Sequence, residues 1–213
     1  MRQQLRESWL PILLYVVFFV VSYSVADWFF PESDGLYLLI FVVDWGALYL
    51  LFRTLLRDGG YQRNKTREVG FARYAVMQFL TGIPIVLGYF ALILPGAFFA
   101  MRWLPAYVRL FVAEGGVLEA MSWSWRETKP VQRDLAKAML GPIACLLITL
   151  AAFLYYYQIY LVDDSWERSI PFEIFSIILI NTSICIGLIW YTLLGFSAFR
   201  LIHCIVAEDI NPA

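Results

Sequence analysis

Charged residues are scarce in this chain. Asp, Glu, Lys and Arg make up 15% of its 213 residues, and 61% of the residues are hydrophobic. Soluble domains contain about 25% charged and about 45–50% apolar residues. The low charge therefore argues against a water-soluble domain, and the high hydrophobicity excludes intrinsic disorder. A net charge of −1 and a pI near 5.8 argue against nucleic acid as a partner.

Residues typical of catalytic and metal sites are also few. His203 is the single histidine, and Cys145, Cys185 and Cys204 form no Cys-x-x-Cys motif. The sequence has no glycine-rich phosphate loop, no His-Glu-x-x-His and no Gly-x-Ser-x-Gly. A lone histidine lacks the partner groups of a nucleophilic or metal centre. We therefore expect no catalytic residues, no metal ligands and no cofactor, and a protein that is not an enzyme.

Long apolar runs dominate what is present. A helix needs about 20 apolar residues to cross the roughly 30 Å hydrocarbon layer. This measure predicts a single-domain (residues 1–213), all-α polytopic transmembrane bundle of about six spans. The expected spans are residues 9–30, 36–56, 74–94, 97–112, 138–161 and 172–198. The helix of the last span either ends at residue 198 or continues as far as residue 206.

The third and fourth expected spans meet at Leu94-Pro95-Gly96. Proline and glycine interrupt helices, so this tripeptide predicts a tight turn between two spans. Two other interpretations stay open, namely a kink within one long helix and a re-entrant turn.

Positive charge is distributed very unevenly between the segments that connect the spans. With a cytoplasmic N-terminus, fourteen of the sixteen Lys and Arg residues fall in cytoplasmic segments. Arg168 is then the one basic residue outside, and Arg102 lies within a span. Because cytoplasmic loops are enriched in Lys and Arg, this pattern predicts a multi-pass protein of a bacterial inner membrane with both termini cytoplasmic. Anionic lipid headgroups on that side are the expected partners.

Residues 94–130 carry a recognisable pattern. It comprises Leu94, Pro95, Gly96, Arg102, Trp103, Glu114, Gly115, Glu119, Ala120, Ser124, Trp125, Thr128 and Lys129. The segment resembles the YciC-like bacterial membrane proteins of unknown function and the membrane domain of some glycerophosphoryl diester phosphodiesterases. The pattern usually continues with glycine where this chain has Pro130. The resemblance implies a helical membrane domain, and it implies no catalytic residues.

The segment from Val117 to Lys129 is too polar to cross a membrane, but its periodicity is helical. Apolar residues recur at steps of three and four, and polar residues occupy the other side. We expect an amphipathic helix in the cytoplasmic headgroup region. The residues expected to matter there are Glu119, Trp123, Trp125, Arg126 and Lys129. This helix is either a docking surface or a connector that orients two spans.

Two ionisable residues stand inside apolar spans and need a partner or water. A charge in mid-bilayer costs about 2.5–3.5 kcal/mol. Asp44 and Arg102 lie at similar depths, and Asn181 and Thr182 fall in the same layer. We expect Asp44 and Arg102 to pair, with Asn181 or Thr182 completing the hydrogen bonds. Such a cluster either fixes the packing of the helices or forms a polar pocket for a headgroup or small solute.

These patterns favour a non-enzymatic membrane protein. The expected role is accessory or structural, in envelope or lipid homeostasis or in the assembly of a membrane complex. A homo-oligomer or another membrane protein is the expected protein partner. The alternative is a small transporter, channel or lipid-handling protein that uses the Asp44 and Arg102 layer.

Overall fold

The computed structural model describes residues 8–59, 61, 69–91, 93–113, 115–157 and 170–210. These residues are overwhelmingly helical and include no strand, which confirms the predicted all-α class. In chain order their helices are α1 (Trp9–Phe29), α2 (Asp34–Asp58), α3 (Phe71–Ala91), α4 (Ile93–Trp103), α5 (Ala106–Val112), α6 (Val117–Glu127), α7 (Gln132–Ala138), α8 (Leu140–Tyr157) and α9 (Ile170–Ile210).

Five stretches of the described chain are long and apolar enough to cross a membrane. They are Trp9–Phe29, Asp34–Asp58, Phe71–Phe90, Gln132–Tyr156 and Ile170–His203. The described residues therefore hold five single helices of this length where the sequence predicted about six spans. The expected helical continuation of the last span is confirmed, since α9 extends to Ile210.

The expected span without a single long helix is the fourth, at residues 97–112. The structure divides this segment into α4, which ends at Trp103, and α5, which begins at Ala106. Pro105 lacks an N–H group and cannot continue the hydrogen bonds of α4, so the helix stops there. At about 1.5 Å per residue, α4 and α5 are about 16 and 10 Å long, and neither alone crosses the hydrocarbon layer.

The turn between α3 and α4 lies earlier than the sequence suggested. Leu94-Pro95-Gly96 forms the first turn of α4 instead of the loop itself. Proline is tolerated there because the first N–H groups of a helix have no intrahelical partner. Gly88 of α3 and Gly96 of α4 let the two backbones approach closely, since a Cβ on Gly88 would lie 2.7 Å from the Gly96 nitrogen.

Helices α3, α4 and α5 together form an antiparallel hairpin with a regular register. Gly88 faces Gly96, and Thr81 bonds to Tyr107. Nearer the start of α3, the ring of Tyr74 lies 6.2 Å from that of Phe111. The chain therefore returns, over α4 and α5, to the end of the hairpin where α3 began.

The chain divides into two compact units. The four-helix unit contains Trp9–Leu51 and Gly141–Trp190, which supply α1, most of α2, α8 and the first half of α9. The hairpin unit contains the described residues of Met1–Ser8, Phe52–Leu140 and Tyr191–Ala213. The expectation of one domain over residues 1–213 stays a prediction.

Each unit has its own apolar interior. In the four-helix unit, Tyr15 and Phe19 of α1 and Ile189 of α9 are buried. In the hairpin unit, an aromatic cluster surrounds Phe52 and comprises Tyr74, Tyr107, Phe111 and Phe196. Many large apolar side chains stay exposed on α1, α2, α3 and α8, as expected when hydrocarbon is the solvent.

Some sequence predictions fall on residues outside the described part of the chain. These are the basic side chains of Arg2, Arg6, Arg63, Lys65, Arg67 and Arg168, the motif residue Glu114, and residues 158–161 of the fifth expected span.

Candidate functional site

Arg102 of α4 is only 6% exposed, and it connects α4 to the C-terminal end of α6. Its Nη1 donates to the backbone oxygen of Trp125 at 3.1 Å and to Oγ1 of Thr128 at 3.0 Å. In return, Oγ of Ser124 donates to the backbone oxygen of Arg102 at 2.6 Å. The last carbonyls of a helix have no intrahelical partner and carry partial negative charge, so a cation is stabilised there.

Aromatic rings flank the Arg102 guanidinium. Its Cζ lies 5.0 Å from the ring centroid of Trp125 and 5.4 Å from that of Phe98. A cation over an aromatic face gains roughly 0.5–2 kcal/mol, most where water is excluded. The Nε of Arg102 is buried and has no hydrogen-bond partner among the described residues. The positive charge is therefore held by dipoles and rings of its own unit.

The pattern that carries the family resemblance is brought together in space at this point. Arg102 is separated from Ser124, Trp125 and Thr128 by more than twenty residues along the chain, yet the four form one hydrogen-bonded group. Thr128 also donates to the backbone oxygen of Ser124 at 2.7 Å. These four residues therefore have a packing role, namely the attachment of α6 to the hairpin.

Asp44 lies within α2 of the four-helix unit and is bonded to tyrosines of α1. The Tyr15 hydroxyl donates to Oδ1 of Asp44 at 2.6 Å, and Tyr23 also hydrogen-bonds this carboxyl. A carboxylate inside a membrane-spanning helix costs about 2.5–3.5 kcal/mol. Hydrogen bonds to a charged group return about 1.5–3 kcal/mol each. Two tyrosine hydroxyls therefore roughly offset the cost of placing this carboxylate within the helix.

A second carboxyl with neutral partners, Asp27, lies on the same helix as the two tyrosines. The Tyr37 hydroxyl donates to its Oδ1 at 2.7 Å, and the Asn181 side-chain amide donates to its Oδ2 at 2.8 Å. The same amide is 3.3 Å from Oγ of Ser24. These bonds join α1 to α2 and to α9. Its position in the sequence, beside an expected outer loop, gave no indication of this role.

The described part of the four-helix unit contains no basic side chain. Its carboxyls are Asp27, Glu32, Asp34, Asp44 and Glu173, and no Lys, Arg or His accompanies them. Neutral donors therefore supply the hydrogen bonds to Asp27 and Asp44 within this unit.

The four residues expected to form one polar layer are divided between the units. Asp44, Asn181 and Thr182 belong to the four-helix unit, whereas Arg102 belongs to the hairpin unit. Asp44 and Arg102 each have partners within their own unit, and Asn181 is bonded to Asp27 and Ser24. Thr182 is partly buried beside Asn181 on α9. The pairing of Asp44 with Arg102 stays a prediction.

The amphipathic segment forms α6, as the sequence predicted, and its two tryptophans are packed. The ring of Trp123 lies 5.1 Å from the Arg109 guanidinium and 5.6 Å from the ring of Phe199. Trp125 contacts three aromatic rings of α4, those of Phe98, Phe99 and Trp103. The small residues Ala120 and Ser124 form its most buried face. Both tryptophans therefore contribute to packing within the hairpin unit.

The polar members of the expected interfacial set lie at the ends of α6. Glu119 is in the first turn, beside Gly115, whose φ of +136° is a conformation that only glycine adopts readily. Arg126 is in the last turn and is exposed, and Lys129 follows the helix and is exposed. Acidic residues early and basic residues late in a helix complement its dipole, which favours α6 as a folded element.

The part of the chain that the structure describes holds no group of three His, Cys, Asp or Glu side chains that could bind a metal. An apolar groove of about 440 Å³ runs along α1 and α9 in the four-helix unit. Its lining is almost entirely aliphatic and aromatic, and includes Val21, Trp28 and Ile178.

Helical fold, apolar surface and charge placement together define an all-α, membrane-embedded protein. No protein-family model, curated protein or solved structure matches the chain. The resemblance to the YciC-like proteins and the phosphodiesterase membrane domain therefore stays a prediction.

Proposed function

We propose that this protein is a multi-pass protein of a bacterial inner membrane with a non-enzymatic, accessory or structural role in envelope or lipid homeostasis, or in the assembly of a membrane complex. The observation that carries the proposal is the use of its buried polar groups. Arg102 attaches α6 to α4, Asn181 joins α9 to α1, and the Tyr191 hydroxyl donates to the Ala100 backbone oxygen of α4. Side chains committed to joining helices suit a scaffold.

The proposed topology has both termini in the cytoplasm. It is supported by the concentration of basic residues in the same set of connecting segments. The register of the α3–α5 hairpin supports it as well, because the chain returns to the end where the hairpin began. The basic residues that flank the connection between α2 and α3, among them Arg57 and Arg73, then face anionic headgroups. Each contributes about 1 kcal/mol of attraction.

Purification from native membranes tests the accessory role. The tagged full-length chain is cross-linked in membranes, solubilised in mild detergent and purified beside its Asp44→Asn and Arg102→Gln variants. We expect a defined membrane-protein partner, or a second copy of the chain, in a fixed ratio for all three proteins. Size-exclusion profiles confirm that the variants are folded. A chain that purifies alone after cross-linking, without partner or second copy, contradicts the proposal.

A small transporter, channel or lipid-handling protein is the second candidate. The observation that favours it is Asp44, a carboxyl within a membrane-spanning helix whose own unit supplies tyrosine donors and, in its described part, no basic side chain. Reconstituted proteoliposomes distinguish the two roles. Solute, ion or lipid movement that the Asp44→Asn variant abolishes supports transport. Equal permeability of protein-free vesicles and of vesicles that contain the protein supports the accessory role.

A further inference from the structure

We propose that the Asp44 carboxyl is a reversible proton-binding site inside the membrane-spanning part of the four-helix unit, with Tyr15 and Tyr23 as the groups that stabilise its ionised form. The inference concerns the chemistry of this side chain. It holds whether the protein acts as a scaffold or as a transporter, and its test does not depend on either role.

The geometry around Asp44 is that of a carboxylate supported by neutral donors. Tyr15 is buried and donates its hydroxyl to Oδ1 at 2.6 Å, and Tyr23 supplies a further hydrogen bond. A short bond from a hydroxyl to a carboxylate oxygen strengthens when the carboxyl is ionised. The same oxygens accept these bonds when a proton occupies the carboxyl, so both states fit without rearrangement.

The groups that face Asp44 from the neighbouring helices leave its charge unneutralised within the unit. They are Tyr15 and Tyr23 from α1 and the buried thiol of Cys185 from α9, with Asp27 farther along α1. None of them is a cation, and the described part of the unit contains no Lys, Arg or His. A lone carboxylate in a low-dielectric setting binds a proton more readily than one with a cationic partner.

Helix α1 carries further polar groups between Asp44 and one end of the helix. Tyr15, Tyr23 and Asp27 are spaced by eight and four residues, which places them within an arc of about 120° of the helix surface. Tyr23 is close enough to both Asp44 and Asp27 to feel their charges. Asp27 lies near the end of α1, so the stripe leads from that end of the helix to Asp44.

Dicyclohexylcarbodiimide, an apolar carbodiimide, reports directly on such a site. The protonated carboxyl adds across one C=N bond of the reagent. Its oxygen bonds to the central carbon while its proton moves to a nitrogen. Migration of the acyl group to nitrogen then gives a stable N-acylurea, with no leaving group and no redox change. The ionised carboxylate in water does not give this adduct efficiently.

The experiment labels the purified full-length protein in detergent between about pH 5 and about pH 9, a range in which exposed carboxyls are ionised. Peptide mass spectrometry then locates the adduct. We expect labelling at Asp44 that falls at least about tenfold across this range, because about a tenth of a carboxyl stays protonated one pH unit above its pKa. The Asp44→Asn variant should lose the adduct, and Asp34→Asn, at the exposed start of the same helix, should retain it.

Two further variants test the proposal independently if Asp44→Asn folds poorly. Tyr15→Phe and Tyr23→Phe remove donors to the ionised form, so labelling of Asp44 should persist to higher pH than in the parent protein. A Cys145→Ala variant, outside the groups that face Asp44, should label as the parent does, which separates carboxyl from thiol chemistry. Infrared difference spectra should show one carboxylic-acid C=O band that Asp44→Asn removes.

Three results overturn the proposal. Labelling of Asp44 that is independent of pH shows a carboxyl that does not titrate. Absence of labelling at acid pH, with labelling gained in Arg102→Gln, shows that Asp44 is held as an ion pair with Arg102. Tyrosine variants that leave the pH dependence unchanged show that Tyr15 and Tyr23 do not stabilise the ionised form.

Discussion

Arg102 places a positive charge in a buried site, so removal of either partner of Nη1 leaves that charge with less support. Thr128 accepts from Nη1 at 3.0 Å and is itself fully buried. We expect Thr128→Val to lower the free energy of unfolding by about 1.5–3 kcal/mol, the range for a hydrogen bond to a charged group. Unfolding of the purified protein in mixed detergent micelles, followed by circular dichroism, measures the change.

The double variant Arg102→Met with Thr128→Val is the sharper comparison. Removing one partner of a buried charge leaves that charge unsatisfied, whereas an apolar replacement of both groups is often tolerated. The double variant should therefore be at least about 1 kcal/mol more stable than Thr128→Val alone. Equal destabilisation in the two proteins would show that the charge of Arg102 has other support. Exposed Arg126→Met provides the matched control and should change little.

At the residue scale, the sequence identified charges but not their partners. Asp44 and Arg102 were found because a charge inside an apolar run is conspicuous. Tyr15 and Thr128 were not found, since tyrosine and threonine are ordinary residues in membrane helices. A tyrosine in an apolar run gives no sign of which neighbour its hydroxyl will meet. The stripe of Tyr15, Tyr23 and Asp27 on α1 was the available signal.

At the scale of the helix pair, the α3–α4 contact depends on two glycines. A Cβ on Gly88 would lie 2.7 Å from the nitrogen of Gly96 and 2.8 Å from its Cα, both backbone atoms that cannot move aside alone. We expect Gly88→Ala to force the helices apart and to cost about 1–3 kcal/mol in free energy of unfolding. The same micellar unfolding measurement applies.

Gly82 is the matched control on the same helix. Nothing lies within 4 Å of a Cβ built at this position. Because alanine favours helix by up to about 1 kcal/mol over glycine, Gly82→Ala should leave the hairpin as stable as the parent or more stable. If both substitutions destabilise equally, the loss comes from general intolerance of α3 to change, and the close contact is not its cause.

The elements show where hydropathy succeeds and where it fails. The spans at α1, α2, α3 and α9 were predicted because apolar length alone defines them. For most of these helices' ends, the predicted and observed bounds differ by only a few residues. The fourth span was expected as one helix and is divided into α4 and α5, because hydropathy averages composition and does not register the missing N–H of Pro105. The turn at Leu94-Pro95-Gly96 was displaced for a related reason, since proline both ends helices and begins them.

For the whole molecule, the central expectation is a topology with both termini cytoplasmic. Gly35, at the start of α2, and Gly70, just before α3, have no atom within 4 Å of the place that a Cβ would occupy, so a small substitution fits at each. The positive-inside distribution places Gly35 outside and Gly70 in the cytoplasm. Each is replaced singly by cysteine in a background without Cys145, Cys185 and Cys204.

A membrane-impermeant maleimide is then added to spheroplasts that carry either variant. The cysteine of Gly35→Cys should react with the maleimide in intact spheroplasts, and that of Gly70→Cys should react only after the membrane is broken. These labels depend on α2 crossing fully, because Gly35 lies in its first turn and Gly70 lies beyond its last residue. Reaction of both cysteines from one side would mean that α2 does not span, and Asp44 would then lie near a membrane surface. The reversed pattern would leave α2 spanning and place both termini outside, against the distribution of Lys and Arg.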